Sequence, residues 1–313
     1  MNNVIPIVMM ADDNYIIPTT IALESLYNNK NDKTEYRIYI LGDNIQKSSI
    51  DFFEKLTKDK FIVEVLTVNN PYKDFFNKNP DMSCTTFMKF DIPFLLPQYD
   101  KILYLDGDTI ILKDLCELYQ IDLADNYLGM VQDYHQLVVK HHKELGIKKY
   151  FNAGVMLFNA KKFRDENLHE VFGKTYTENS QKFTYHDQDT FNVVLEGKIK
   201  ELPLKYNWMV SNTYFRDSKI RETYHLNKDE YPNGDIAIVH LTTRLKPWKY
   251  KNVKFSKEWL SYYKNSILGN NRLDLKFGKH YELFILLRSK LESKLLNRVG
   301  KKLMYICSHR GDN

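Results

Sequence analysis

Asp106 and Asp108 stand one residue apart with only Gly107 between them, directly after the apolar run Ile102-Leu103-Tyr104-Leu105. Along an extended backbone, residues i and i+2 point the same way, so both carboxylates can present oxygens to one spot at a strand end. Two hard oxygen ligands suit Mn²⁺ or Mg²⁺, and such a cation usually completes its shell with substrate phosphates. The same pair also suits a solvated turn. Asp-x-Asp arises about once by chance in a chain of this length. A second copy, Asp187-Gln188-Asp189, is present.

Other groups sit at comparable places. Ala11-Asp12-Asp13-Asn14 follows an apolar run and can either cap the next helix or hold a ribose or base edge. Phe151-Asn152-Ala153-Gly154 carries an Ala-Gly that allows a ligand or backbone to approach, or marks a bulge in a core strand. His186-Asp187-Gln188-Asp189 opens a short helical run, where carboxylates complement the dipole in any protein. His240 ends an apolar strand, and Lys246 six residues on can neutralise a phosphate or simply precede the turn at Pro247.

The elements that must position these groups alternate. Val4–Ala11, Tyr36–Leu41 and Phe61–Val68 are predicted strands, and Pro18–Tyr27 and Ser48–Leu56 predicted helices between them. That order predicts a parallel sheet with right-handed crossovers and ligands beyond the carboxyl ends of strands. Further strands are predicted over Leu128–Gln132, Phe151–Phe158 and Ile236–Val239. No G-x-G-x-x-G follows the first strand and no G-x-x-x-x-G-K-[ST] occurs, so dinucleotide and P-loop chemistry lack support.

The 313 residues suffice for one large domain, alone or with an appendage. Apolar residues at 43% and charged residues at 27% are those of an ordinary soluble domain. No apolar run reaches the ~18 residues of a spanning helix, and the start shows no basic segment or cleavage site. Cys84, Cys116 and Cys307 are scattered and odd in number, which fits a reducing cytoplasm. The net charge of +5 is uneven. From Lys249 onward 15 Lys and Arg face 5 Asp and Glu, leaving 30 against 35 in the body. Within that basic end, Phe284, Leu287, Leu291, Leu295, Val299 and Leu303 recur at helical spacing over Tyr281–Met304. This predicts a basic amphipathic helix, docked on the body or lying on anionic lipid. The basic residues form no nucleic-acid-binding module, so no nucleic-acid partner is expected.

Taken in order, these segments resemble family 8 glycosyltransferases, the retaining nucleotide-sugar transferases that include bacterial lipooligosaccharide galactosyltransferases, bacterial glucosyltransferases and glycogenin. The resemblance spans about residues 4 to 250. Met10-Ala11-Asp12-Asp13-Asn14-Tyr15 is similar to the family's A-A-D-D-N-Y, and Tyr104-Leu105-Asp106-Gly107-Asp108 to its Y-L-D-x-D. Phe151-Asn152-Ala153-Gly154 matches F-N-A-G, Asp187-Gln188-Asp189 matches D-Q-D, and His240 to Trp248 resembles H-x-x-G-x-x-K-P-W. Two positions depart. Thr243 replaces the Gly of the last motif, and Lys89, three residues after Thr86, stands where the family often has Arg. The charge stays but the bidentate fork is lost.

The resemblance implies an A-type glycosyltransferase fold over residues 1–250, followed by a basic helical tail over 251–313. It implies a uridine diphosphate sugar donor, UDP-galactose or UDP-glucose, and Mn²⁺ (or Mg²⁺) held by Asp106, Asp108 and His240. Asp12 and Asn14, with backbone from Met10 and Ala11, would hold uracil and ribose. Gly107, Thr243 and Lys246 would lie along the diphosphate. Lys89, Asn152, Ala153, Gly154, Asp187 and Gln188 would shape the sugar site. Retention would come from a nucleophile, with Gln188 or Asp189 placed by motif, or from acceptor attack on the leaving-group face. A neutral amide is a poor nucleophile, which favours the second route. The acceptor would be a glycan or lipid-linked sugar, with the enzyme in the cytoplasm or peripheral on the inner membrane face. A non-catalytic UDP-sugar or glycan binder with a degenerate site is the alternative, and a nucleotide-sugar hydrolase a third.

Overall fold

The computed structural model describes residues 3–76, 84–134, 141–214, 217–227, 235–271 and 273–277. Strands β1 (Asn3–Met10), β2 (Thr34–Gly42) and β3 (Phe61–Thr67) alternate with helices α1 (Ile16–Asn28) and α2 (Lys47–Glu54). β4 (Lys101–Leu105), β5 (Thr109–Ile111), β6 (Leu128–Gln132), β7 (Phe151–Asn159) and β8 (Ile199–Glu201) follow, with α3 (Leu168–Asn179) and α4 (His186–Val194) between β7 and β8. β9 (Trp208–Met209), β10 (Ile238–His240) and α5 (Ser256–Asn265) complete the elements used below.

The main sheet has the order β3-β2-β1-β4-β7-β6-β8. β1 pairs in parallel with β2 and β4, β2 with β3, and β6 with β8. β7 runs antiparallel to both β4 and β6. Buried on both faces, the central strands read as near-continuous apolar runs. Ile5, Ile7, Val8, Leu103 and Leu105 are all fully buried. The strand order reverses between β1 and β4, which opens a crevice at their carboxyl ends. Because β7 is antiparallel, its first residues, Phe151 to Gly154, meet that same edge. A second, three-stranded sheet, β5-β10-β9, lies beside it.

Residues 256–271 are tied to this body. On α5, Trp259 is fully buried, 5.8 Å from the Trp248 ring and stacked on Tyr263 at 5.4 Å. Trp259, Tyr263 and Leu268 share one apolar cluster with Ile21 of α1 and with Ile110 and Val239 of the second sheet. Asn29 Nδ2 donates to Tyr262 Oη at 2.8 Å. Residues 256–271 therefore pack as part of the core, because their aromatic residues cover α1. The amphipathic helix expected over Tyr281–Met304 lies outside the described residues, as do residues 135–140 of the loop before β7. No helix among the described residues is long and apolar enough to cross a membrane.

Candidate active site

Asp106 and Asp108 converge through the turn between β4 and β5, not along an extended strand as the i, i+2 spacing implied. Asp106 N–H donates to Gly154 O at 2.8 Å, Thr109 Oγ1 to Asp106 O at 2.9 Å, and Leu241 N–H to Asp108 O at 3.0 Å. Gly107 is needed there, since a Cβ would stand 2.5 Å from Thr19 Oγ1. Antiparallel pairing of β5 with β10 sets His240 opposite Thr109. His240 Nε2 then lies 3.5 Å from Asp106 Oδ2 and 3.3 Å from Asp108 Oδ1. One ligand atom from each of Asp106, Asp108 and His240 falls within 4.8 Å of the others. Two carboxylates and one imidazole at this spacing fit a hard divalent cation such as Mn²⁺ or Mg²⁺.

Two lysines flank the cluster. Lys246 Nζ is 2.6 Å from Asp108 Oδ2 and also reaches Leu241 O. Burial alone would raise the Asp108 carboxyl, but Lys246 and His240 outweigh it and hold the group well below the usual carboxylate range. Lys89, on the segment Cys84–Asp91, is buried with its Nζ 2.9 Å from Asp187 Oδ2 and 3.4 Å from Asp106 Oδ1. Burial would lower its ammonium, and the two aspartates reverse this and raise it. Tyr104 donates its hydroxyl to Asp106 Oδ1 at 2.6 Å and places its ring 4.8 Å from Lys89 Nζ.

On the far side, the start of β7 meets the start of α4. Ala153 N–H donates to Gln188 Oε1 at 2.9 Å. A Cβ on Gly154 would collide with the His240 ring and lie 2.9 Å from Asp106 Oδ2. His186 enters α4 with φ at 43°, a positive value uncommon outside glycine, and Tyr176 Oη is 3.1 Å from its Nδ1. Asp189 occupies a different place from Asp187 and Gln188. It is fully buried, and its Oδ2 accepts from His141 Nε2, Thr184 N–H and Tyr185 N–H at 2.9, 2.6 and 2.8 Å. Its Oδ1 accepts from the Tyr150 hydroxyl. The carboxylate expected to be a candidate nucleophile is thus a buried hub joining three chain segments.

At the end of β1, Met10 and Ala11 are buried, and Ala11 N–H bonds Leu41 O at 3.1 Å. Asp12 Oδ1 accepts from Asn14 N–H at 2.9 Å, while Asp13 is turned to Ser49 Oγ at 2.6 Å on α2. The acidic pair has divided labour: Asp13 anchors the first turn of α2, and Asp12 shapes the turn into α1. Thr243 lies in the loop between His240 and Lys246, with Oγ1 donating to Leu245 O at 3.3 Å. Asn207, fully buried, lies 3.0 Å from His240 Nδ1 and was not singled out by sequence. A lone Asn before a two-residue strand gives no signal of its own.

A mostly parallel sheet with an acid–histidine cluster at the point where strand order reverses defines an A-type glycosyltransferase. Residues 6–252 match the sequence model of Glycosyl transferase family 8, and the chain belongs to that family. It is a glycosyltransferase. Among its relatives, the lipopolysaccharide 1,2-glucosyltransferase of Escherichia coli is 28% identical over 247 residues, covering 76% of this chain and 71% of that protein. General stress protein A of Bacillus subtilis is 25% identical over 285 residues, covering 86% and 97%. The galactosyltransferase LgtC, solved with donor and acceptor sugar analogs, superposes with a TM-score of 0.73 at 25% identity, over 84% of this chain and 96% of that one.

Proposed function

We propose that the protein is a retaining hexosyltransferase that moves galactose or glucose from a UDP-sugar to a glycan or lipid-linked acceptor, with Mn²⁺ or Mg²⁺ held by Asp106, Asp108 and His240. The observation that carries this reading is the convergence of those three side chains at the reversal point of the sheet, beside the β1 end. A divalent cation bound there supplies positive charge to the departing diphosphate. Lys246 adds a second positive charge at the same edge and neutralises a diphosphate oxygen. Asp12 and Asn14, with the backbone of Met10 and Ala11, hold the uridine. Gly107 and Thr243 border the diphosphate. Lys89, Asn152, Ala153, Gly154, Asp187 and Gln188 shape the sugar pocket.

For retention we favour acceptor attack on the leaving-group face. A covalent route asks for a free carboxylate. Asp189 is committed to four donors and Asp187 to Lys89. Gln188, held by the Ala153 N–H, orients the reacting sugar in this reading. The glycan acceptor draws its support from the lipopolysaccharide named for the Escherichia coli relative and from the acceptor sugar analog solved with LgtC. In this reading the enzyme works in the cytoplasm, and the basic composition from Lys249 onward draws it to anionic lipid at the inner membrane face. Vesicle flotation that captures full-length protein and a chain cut after Lys279 equally would remove that membrane contact.

The central test is calorimetric titration of UDP-galactose and UDP-glucose, with and without Mn²⁺, into wild type and Asp106→Ala/Asp108→Ala. Cation-dependent binding of one donor, lost in the variant, is expected. No binding of either donor overturns the assignment.

A further inference from the structure

We infer that Asn207 and Asn152 form a two-amide relay that sets which ring nitrogen of His240 carries the proton, and that Asn207 is thereby the positioning residue of the cation site. This rests on the reading of Asp106, Asp108 and His240 as cation ligands.

The relay can be followed from a group whose role is not in question. Gly154 N–H is a backbone donor, and it lies 3.0 Å from the side-chain Oδ1 of Asn152. A backbone N–H cannot accept, so the Asn152 atom facing it must be the oxygen. That oxygen also lies 2.8 Å from Asn207 Nδ2, so Asn207 must turn its amino group toward it. The other end of the Asn207 amide is then its carbonyl oxygen, 3.0 Å from His240 Nδ1. A carbonyl oxygen cannot donate, so Nδ1 must carry the hydrogen. In the neutral ring this leaves the lone pair on Nε2, the nitrogen that faces Asp106 Oδ2 and Asp108 Oδ1.

Without this constraint the preference would reverse. Two carboxylates within 3.5 Å of Nε2 favour a hydrogen on that nitrogen, pointing at them. An Nε2–H in that position cannot ligate a cation. The relay opposes this, and burial strengthens it. Asn207 is fully buried, Asn152 is 8% exposed and His240 5% exposed, so water is a poor substitute partner for any of the three. Gly154 serves twice, as the backbone donor that starts the relay and as the gap that admits the His240 ring.

The test uses full-length protein. In the cation-free enzyme at about pH 9, long-range ¹H–¹⁵N spectra report which His240 nitrogen is protonated. The signal is assigned by its loss in His240→Ala. Wild type is expected as the Nδ1–H form. Asn207→Leu is expected to shift toward Nε2–H and to weaken Mn²⁺ uptake, followed by electron paramagnetic resonance, by about 10- to 100-fold. Asn207→Asp keeps an oxygen against Nδ1 but gives up the donor to Asn152 Oδ1, and is expected to retain Nδ1–H and recover part of the affinity. An Nε2–H signal in wild type overturns the relay, and needs no Asn207 variant to fold. So does a folded Asn207→Leu that keeps Nδ1–H and binds Mn²⁺ within twofold of wild type. If wild type shows Nδ1–H yet takes up no Mn²⁺, the relay stands and the cation reading fails.

Discussion

Lys89 Nζ lies 2.9 Å from Asp187 Oδ2, with 7% of each side chain exposed, and the same ammonium reaches Asp106 at 3.4 Å. One buried ammonium thus joins the turn carrying Asp106 and Asp108 to the first turn of α4. Removing one partner of a buried pair costs about 3–5 kcal/mol, because the remaining charge stays uncompensated. Lys89→Met is expected to lose stability in this range in urea unfolding. Lys89→Met/Asp187→Asn should recover part of the loss. Equal stability of Lys89→Met and wild type would show the pair to be inert.

Gly154→Ala probes the close approach of β7 to His240. The added methyl must displace the imidazole or Asp106. Overpacking of this kind costs about 1–3 kcal/mol, so the variant should fold with a modestly lower Tm. Transfer activity should fall on the order of 100-fold, the scale of a misplacement of about 1 Å. Steady-state rates together with a Mn²⁺ titration check both effects. Undiminished cation affinity would contradict the placement of His240.

Asp189→Asn separates a structural from a chemical role. A buried acceptor of four hydrogen bonds should cost about 2–4 kcal/mol when its charge is removed. In variant that remains folded, kcat should fall less than about tenfold. A nucleophile would give the opposite pattern, with stability nearly unchanged and kcat reduced by about 10³-fold or more. Denaturant melts and kcat on the same preparations distinguish the two.

Asp91, two residues beyond Lys89 on the segment Cys84–Asp91, gives a pH signature of its own. Burial raises its carboxyl above the ordinary 3.8, against the opposing hydrogen bond from Tyr72 and the charge of His169. The folded state therefore favours the protonated form. That contribution is fully present below 3.8 and is lost as pH rises through the folded value. Asp91→Asn stays neutral and keeps an oxygen for the Tyr72 hydroxyl, now 2.9 Å away. It should be more stable than wild type at pH 7, with the gap closing below pH 3.8. Thermal melts across that range check the sign.

Much of the fold was legible because its strands and α1 are buried apolar runs and α2 is amphipathic. The β-α-β-α-β opening, the strand at Leu128–Gln132 and the strand from Phe151 appear where apolar periodicity placed them. The reversed direction of β7 was not legible, since a buried apolar run looks alike in parallel and antiparallel pairing. Nor was the packing of α5. The basic composition after residue 250 suggested a helical tail, docked on the body or lying on lipid, and carried no sign that Trp259 and Tyr263 are buried against the body.

The candidate site divides along the same line. The sequence by itself determined the residue types: a hard-ligand pair around Gly107, a histidine ending a strand, a lysine six residues later, and the order of motifs that placed the chain in its family. Those are local patterns, and local patterns survive in one dimension. Only the tertiary structure decided which of them meet. It sent Asp189 away from Asp187 and Gln188, because three segments needed a buried acceptor. It brought Asn207 to His240 across 33 residues, because β9 and β10 pair side by side. Hydrogen-bond satisfaction in a buried place depends on which groups packing brings together, and sequence distance carries no record of that.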